Sequence, residues 1–127
     1  MATVIDAQNA LLARLQAMPD RPAIAYPNDK IVEAKPRIVV QFPAAAQTTR
    51  TIGGCSQGDA EMVARIETKQ HELTTEANTI AEQIIAWFRP VQRFGGVTII
   101  EAPSVRAQFS EAGSFHLPVI IRGRFYT

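Results

Sequence analysis

Cysteine is all but missing from this chain, and histidine and tryptophan are scarce. Cys55 stands alone, so no internal disulfide framework and no multi-cysteine zinc site can form, and this usage fits a reducing compartment. His71 and His116 are the only histidines and Trp87 the only tryptophan. Excess charge is missing too: thirteen basic against twelve acidic residues give +1, too little for a dedicated nucleic-acid binder. No apolar run approaches the ~20 residues of a membrane helix, so no membrane partner is expected. The first residues do not follow the basic-then-apolar order of a secretory leader. Internal repeats and low-complexity segments are absent, apart from a small-residue patch at Ala44-Ala45-Ala46. What remains is 127 residues, 46% hydrophobic and 20% charged, the make-up of one globular domain. A chain of this length buries roughly two thirds of its unfolded surface, enough for a core that needs neither disulfide nor metal.

The near-zero net charge hides an uneven distribution. Residues 1–58 carry six basic and four acidic groups, residues 59–82 two and six, and residues 83–127 five and two. An acidic middle is thus followed by a basic end. Ten of the thirteen cations are arginines, whose planar guanidinium suits bidentate contacts with carboxylates.

Periodicity gives the order of elements. Val4, Ala7, Leu11, Leu15 and Met18 recur at helical spacing, with Thr3 as cap and Pro19 as stop. Ala23–Tyr26, bracketed by Pro22 and Pro27, reads as an edge strand or an extended linker. Arg37–Phe42 and Thr48–Ile52 read as strands, joined by a turn over Ala44–Gln47. Gly53, Gly54 and Gly58 suggest a flexible loop around Cys55. From Glu61 to Lys69, Met62, Ala64, Ile66 and Thr68 alternate with charged or apolar neighbours, the period of a strand with one buried face. Ala77, Ile80, Ala81, Ile84, Ile85 and Phe88 form the strongest helical stripe, begun at Thr74 or Thr75 and ended by Pro90. Trp87 lies on the flank of that stripe, either as a boundary core residue or as a subunit contact. Strands are expected at Val97–Ala102, Val105–Phe109 and Ser114–Tyr126, with a turn at Glu111-Ala112-Gly113 and a bulge or edge position at Pro118. The expected fold is α+β: a mostly antiparallel sheet with two helices packed on one face, in the order α-(β)-β-β-β-α-β-β-β over residues 1–127.

Catalytic constellations do not emerge. His71-Glu72 begins like a zinc-protease helix, but Thr75 stands where the second histidine belongs. Cys55 and His71 match a nucleophile and base by type only. Gly53–Gly58 has neither the Lys-Ser/Thr ending of a phosphate loop nor a helical continuation, and reads as a hairpin loop. Glu67 with Glu72, or Glu101 with Glu111, read as solvated carboxylates. No catalytic residue, cofactor or metal is expected. A small domain rich in strands must instead cover its sheet edges or pair them with another chain. Acidic and basic segments of one chain can also meet head to tail between copies, closing a ring. On this reasoning Asp59, Glu61, Glu67 and Glu72 are candidates to face Arg106, Arg122 and Arg124 across a subunit boundary, with Trp87 as a further contact. Ala44, Ala45, Ala46, Gln47, Thr48, Thr49 and Arg50 are candidates for docking on a larger assembly.

The helix at Thr3–Met18, the string Ile24-Ala25-Tyr26-Pro27-Asn28, the strand pair across Arg37–Ile52 and the strand and helix Ile66–Phe88 resemble a known family. So do Phe94-Gly95-Gly96-Val97-Thr98-Ile99, Ala102-Pro103-Ser104 and Phe115-His116-Leu117-Pro118-Val119. Together they are similar to the tail terminator proteins of long flexible-tailed bacteriophages, prophages and gene transfer agents. The resemblance implies a non-enzymatic virion protein, assembled in the bacterial host cytoplasm, that forms a hexameric ring on the head-proximal end of the tail tube. It implies as partners further copies of itself, the tail tube protein, and a head-completion or connector protein. Genomic DNA would pass through the channel without sequence-specific binding. A head–tail connector or tail-completion subunit is the nearest alternative, and a small ligand-binding domain or enzyme a more distant one.

Overall fold

The computed structural model describes residues 4–20, 22–26, 36–42, 45–49, 56–69, 75–111 and 113–126. Helix α1 spans Val4–Gln16 and helix α2 Thr75–Trp87. The strands are β1 (Ala23–Ala25), β2 (Arg37–Gln41), β3 (Ala45–Thr49), β4 (Ser56–Lys69), β5 (Arg93–Phe94), β6 (Val97–Ile99), β7 (Ser104–Val105), β8 (Phe109–Glu111) and β9 (Ser114–Tyr126). They form one sheet in the order β1-β2-β4-β9-β6-β5, with β3 beside β4 and β7 and β8 beside β9. Every pairing is antiparallel except β1 with β2. The chain is an α+β fold.

The backbone of the sheet is the β4–β9 pair, thirteen residues in unbroken register from Gln57↔Tyr126 to Lys69↔Ser114. Alternation dictates which face each side chain takes. Ala60, Met62, Ala64 and Ile66 of β4 and Leu117, Val119, Ile121 and Phe125 of β9 are buried on one face. The helices pack there. Ala7, Leu11 and Leu15 of α1 and Ala77, Ile80, Ala81 and Ile84 of α2, with Phe88 just beyond it, complete one core. The i, i+3, i+4 spacing of those residues is what lets each helix lay a single stripe on the strands.

Trp87 ties the helix ends together. Its indole Nε1 donates to the Arg14 carbonyl at 2.6 Å, while the Arg14 guanidinium lies 3.8 Å above the indole ring and donates to the Trp87 carbonyl at 3.3 Å. Trp87 is half-buried against the core.

Several boundaries differ from those the sequence suggests. Ala45–Gln47 belong to β3 rather than to a turn, and β3 ends at Thr49. β2 and β3 do not pair with each other; they lie end to end along β4, at Val63–Glu67 and Ser56–Ala60 respectively. Gly58 is not in a loop but is buried in β4, in register with Phe125. The strand pattern was hidden there because glycine and small residues carry no alternation. The loop residues Gly53, Gly54 and Cys55 lie outside the described residues. The strand at Val97 ends at Ile99, and Val105–Phe109 is not one strand: β7 and β8 flank a gap at 106–108. β5 was not anticipated; it pairs with β6 across Gly95-Gly96, whose φ values of +55° and +80° suit glycine.

Pro118 causes no bulge against β4; it sits at a local edge of β9, between the stretches paired with β7 and β8. Its carbonyl accepts from the Arg106 N–H at 2.9 Å, on the β7 and β8 side. In an antiparallel strand the N–H and C=O of one residue point the same way, so the donor that proline lacks would face the gap between β7 and β8. The β4 ladder loses nothing.

Candidate functional site

The face of β4 and β9 turned away from the helices carries the sites of interest. Alternation puts Asp59, Glu61, Val63, Arg65 and Glu67 on it from β4, and Arg124, Arg122, Ile120, Pro118 and His116 opposite them from β9. Neighbouring strands extend these into rows.

One end row is Arg37, Glu67, His116 and Phe109, contributed by β2, β4, β9 and β8. Glu67 is only 3% exposed, a carboxylate almost sealed from water on the face turned away from the helices. Arg37 Nε donates to Glu67 Oε2, Arg65 Nη2 donates to Oε1 at 3.1 Å, and His116 Nδ1 lies 3.2 Å from Oε1. Phe109 stacks on the His116 ring at 4.7 Å between centroids and 13° between planes. Burying an ionised carboxylate is costly unless it is paired, and two guanidiniums supply the pairing. The central row is Gln41, Val63, Ile120 and Ser104, a half-buried apolar pair between two exposed polar ends.

The other end holds the pairs Asp59–Arg124 at 3.0 Å and Glu61–Arg122 at 3.5 Å, with Glu101 joining Arg122 at 3.2 Å. The hydrogen bond from Arg124 to Asp59, and after it the carboxylate's charge, raises the guanidinium pKa above its ordinary value. The acidic middle and the basic end of the chain therefore do meet, but within one protomer, across adjacent strands. Any contact these residues make with a second copy is made from side chains already paired in their own chain.

The other candidates scatter. Arg106 is exposed, the first residue of the gap at 106–108, and has no ion pair among the described residues. Trp87 sits at the junction of the helix ends, and its indole N–H is used inside the chain. Glu72, Ala44 and Arg50 lie outside the described residues; Ala45, Ala46, Gln47, Thr48 and Thr49 form β3, at the end of β4 that carries Asp59. Sequence reasoning missed Arg37, Arg65, His116 and Phe109 as neighbours of Glu67. The alternation of β4 placed Arg65 and Glu67 on one face, but nothing local gives the register that adds the others.

A shallow cleft opens at the start of α2, lined by Asp20, Pro22, Pro36, Glu76, Thr79, Ile80 and Gln83. Its polar groups are two carboxylates, an amide and a hydroxyl; the Thr79 hydroxyl donates to the Thr75 carbonyl at 2.8 Å. Among the described residues no group of three His, Cys, Asp or Glu side chains is placed to hold a metal.

No family model and no curated protein matches this chain. A solved structure is similar to it over 99% of this chain and 95% of its own, with a TM-score of 0.65 and 18% identity. At that identity the likeness concerns the fold alone. The designation of that protein states no function.

Proposed function

We propose that this protein is a structural, ring-forming component of a phage-type tail, acting as the terminator at the head-proximal end of the tube. The observation that carries the reading is the two-faced sheet: both helices pack on one face, and the other presents paired charges, an apolar pair at its middle and a sealed carboxylate, with no helix over it among the described residues. Such a face has the polar rim and apolar centre of a docking surface. The family resemblance of the sequence names the assembly: a homo-hexamer bound to the last ring of the tube.

The mechanism is geometric. One side of the ring matches the tube and binds it; the other offers no site for a further tube ring and receives a head-completion or connector protein instead. Polymerisation stops because the repeating contact is no longer presented. Several modest contacts made at once around a ring give slow dissociation. DNA passes through the channel and is not read.

Tube assembly in vitro tests this. Tail tube protein from the same genome is polymerised with increasing amounts of this chain, and tubes are imaged by electron microscopy. Short tubes with a ring at one end support the reading. Tubes of unchanged length with bare ends contradict it.

A further inference from the structure

Val91 is 83% exposed and has φ of +67°, a left-handed conformation that a β-branched side chain adopts only under strain. The strain is held by tertiary bonds: the Val91 N–H donates to the Ile99 carbonyl at 2.7 Å, and the Ile99 N–H to the Gln92 carbonyl at 2.9 Å. The result is an apolar knob projecting just past the end of α2. Exposed Arg89 and Arg93 flank it, and neither has an ion pair among the described residues.

The cleft at the other end of α2 is its complement. Its volume of 430 Å³ exceeds a valine side chain several times over, its apolar walls are Pro22, Pro36 and Ile80, and its acids are Asp20 and Glu76. Neither acid has an ion pair among the described residues. Val91 stands exposed beyond the end of α2 and is not among the residues lining the cleft, so the chain does not fill its own cleft with its own knob.

We infer that the cleft at the start of α2 receives the Val91 turn of a second copy of this chain, with Arg89 and Arg93 meeting Asp20 and Glu76. A contact between two different patches of the same molecule is heterologous, and repeated with a closing rotation it makes a ring. The inference rests on the ring reading and assigns the surfaces that build it. It also gives the strained valine a task. Glycine at position 91 relieves the backbone but removes the knob, so stability and assembly should respond in opposite directions.

Sedimentation velocity across a concentration series, with thermal unfolding alongside, tests it. The wild-type chain assembles. Val91→Gly raises Tm by a few degrees yet raises the concentration needed for assembly about tenfold or more, since a buried apolar anchor is lost. Val91→Asp and Thr79→Arg, the second filling the cleft with a cation from an exposed helical position, each leave folded monomers. Mixed together, these two variants form a dimer and stop there, because the pair retains one intact knob and one intact cleft. Assembly that survives both Val91→Asp and Thr79→Arg overturns the inference and leaves the ring reading standing. A wild-type chain that is monomeric at every concentration and leaves the ends of tail tubes bare overturns both.

Discussion

A methyl group added at Gly123 would sit 2.2 Å from Val97 Cγ1 and 3.3 Å from Leu11 Cδ2, where α1 crosses β9 and β6. Neither neighbour is the free end of a surface side chain; both belong to fully buried residues. Gly123→Ala is therefore expected to cost about 3 kcal/mol in urea unfolding, the scale of overpacking a filled core. Glu67 makes the opposite case, a polar group that the fold cannot spare. Glu67→Ala removes a carboxylate partner of both Arg37 and Arg65, and the loss is expected at about 2–3 kcal/mol, below that of a fully buried pair because both arginines are partly wet. Arg124 and Asp59 are each about one third exposed, so solvent screens their attraction. Arg124→Ala is expected to change stability by less than about 1 kcal/mol, which denaturant titration of both variants resolves. Paired charges of similar appearance thus differ in weight according to how much water reaches them.

Among the elements, the long strands and both helices were legible in the amino-acid order. The boundaries Ser114–Tyr126 agree to the residue, because every second position from Phe115 to Phe125 is apolar or glycine. The helical stripes of α1 and α2 were equally plain. β3, β5 and β7 were not, since two to five residues of Ala, Gln, Ser or Arg carry no period, and their existence depends on the strand beside them. Pairing order was invisible for the same reason: that β2 and β3 share β4 as a common neighbour is a tertiary fact. The charged candidates follow this pattern. The charges of Asp59, Glu61, Arg122 and Arg124 are complementary in sequence, yet only the β4–β9 register shows that they meet inside one chain. Pro118 offers a test of that register. Because its missing N–H faces a gap, Pro118→Thr should shift Tm by no more than a degree or two, corresponding to about 0.5 kcal/mol. A loss of several degrees would mean that the proline ring itself stiffens β9.

At the scale of the whole molecule, both helices pack on one face of a single sheet, and among the described residues no helix lies over the other. The rows of that face run from a sealed carboxylate through a central apolar pair to paired surface charges, and α2 has a cleft along its first residues and a knob past its end that one protomer does not bring together. A closed ring would use such surfaces and give the tube a terminal layer of matching symmetry. Salt distinguishes the contributions. If Arg89, Arg93, Asp20 and Glu76 meet between copies, raising ionic strength from 0.05 to about 0.5 M should weaken assembly, because the Debye length shrinks below the span of such contacts. The fold, held by the apolar core, should barely respond.

The most direct measurement is the mass of the purified chain in solution, by native mass spectrometry or sedimentation equilibrium over a wide concentration range. A discrete closed species of about six protomers, visible as a ring by electron microscopy, is the result the account predicts. A strict monomer at the highest concentration, which also leaves the ends of tail tubes bare, would contradict it.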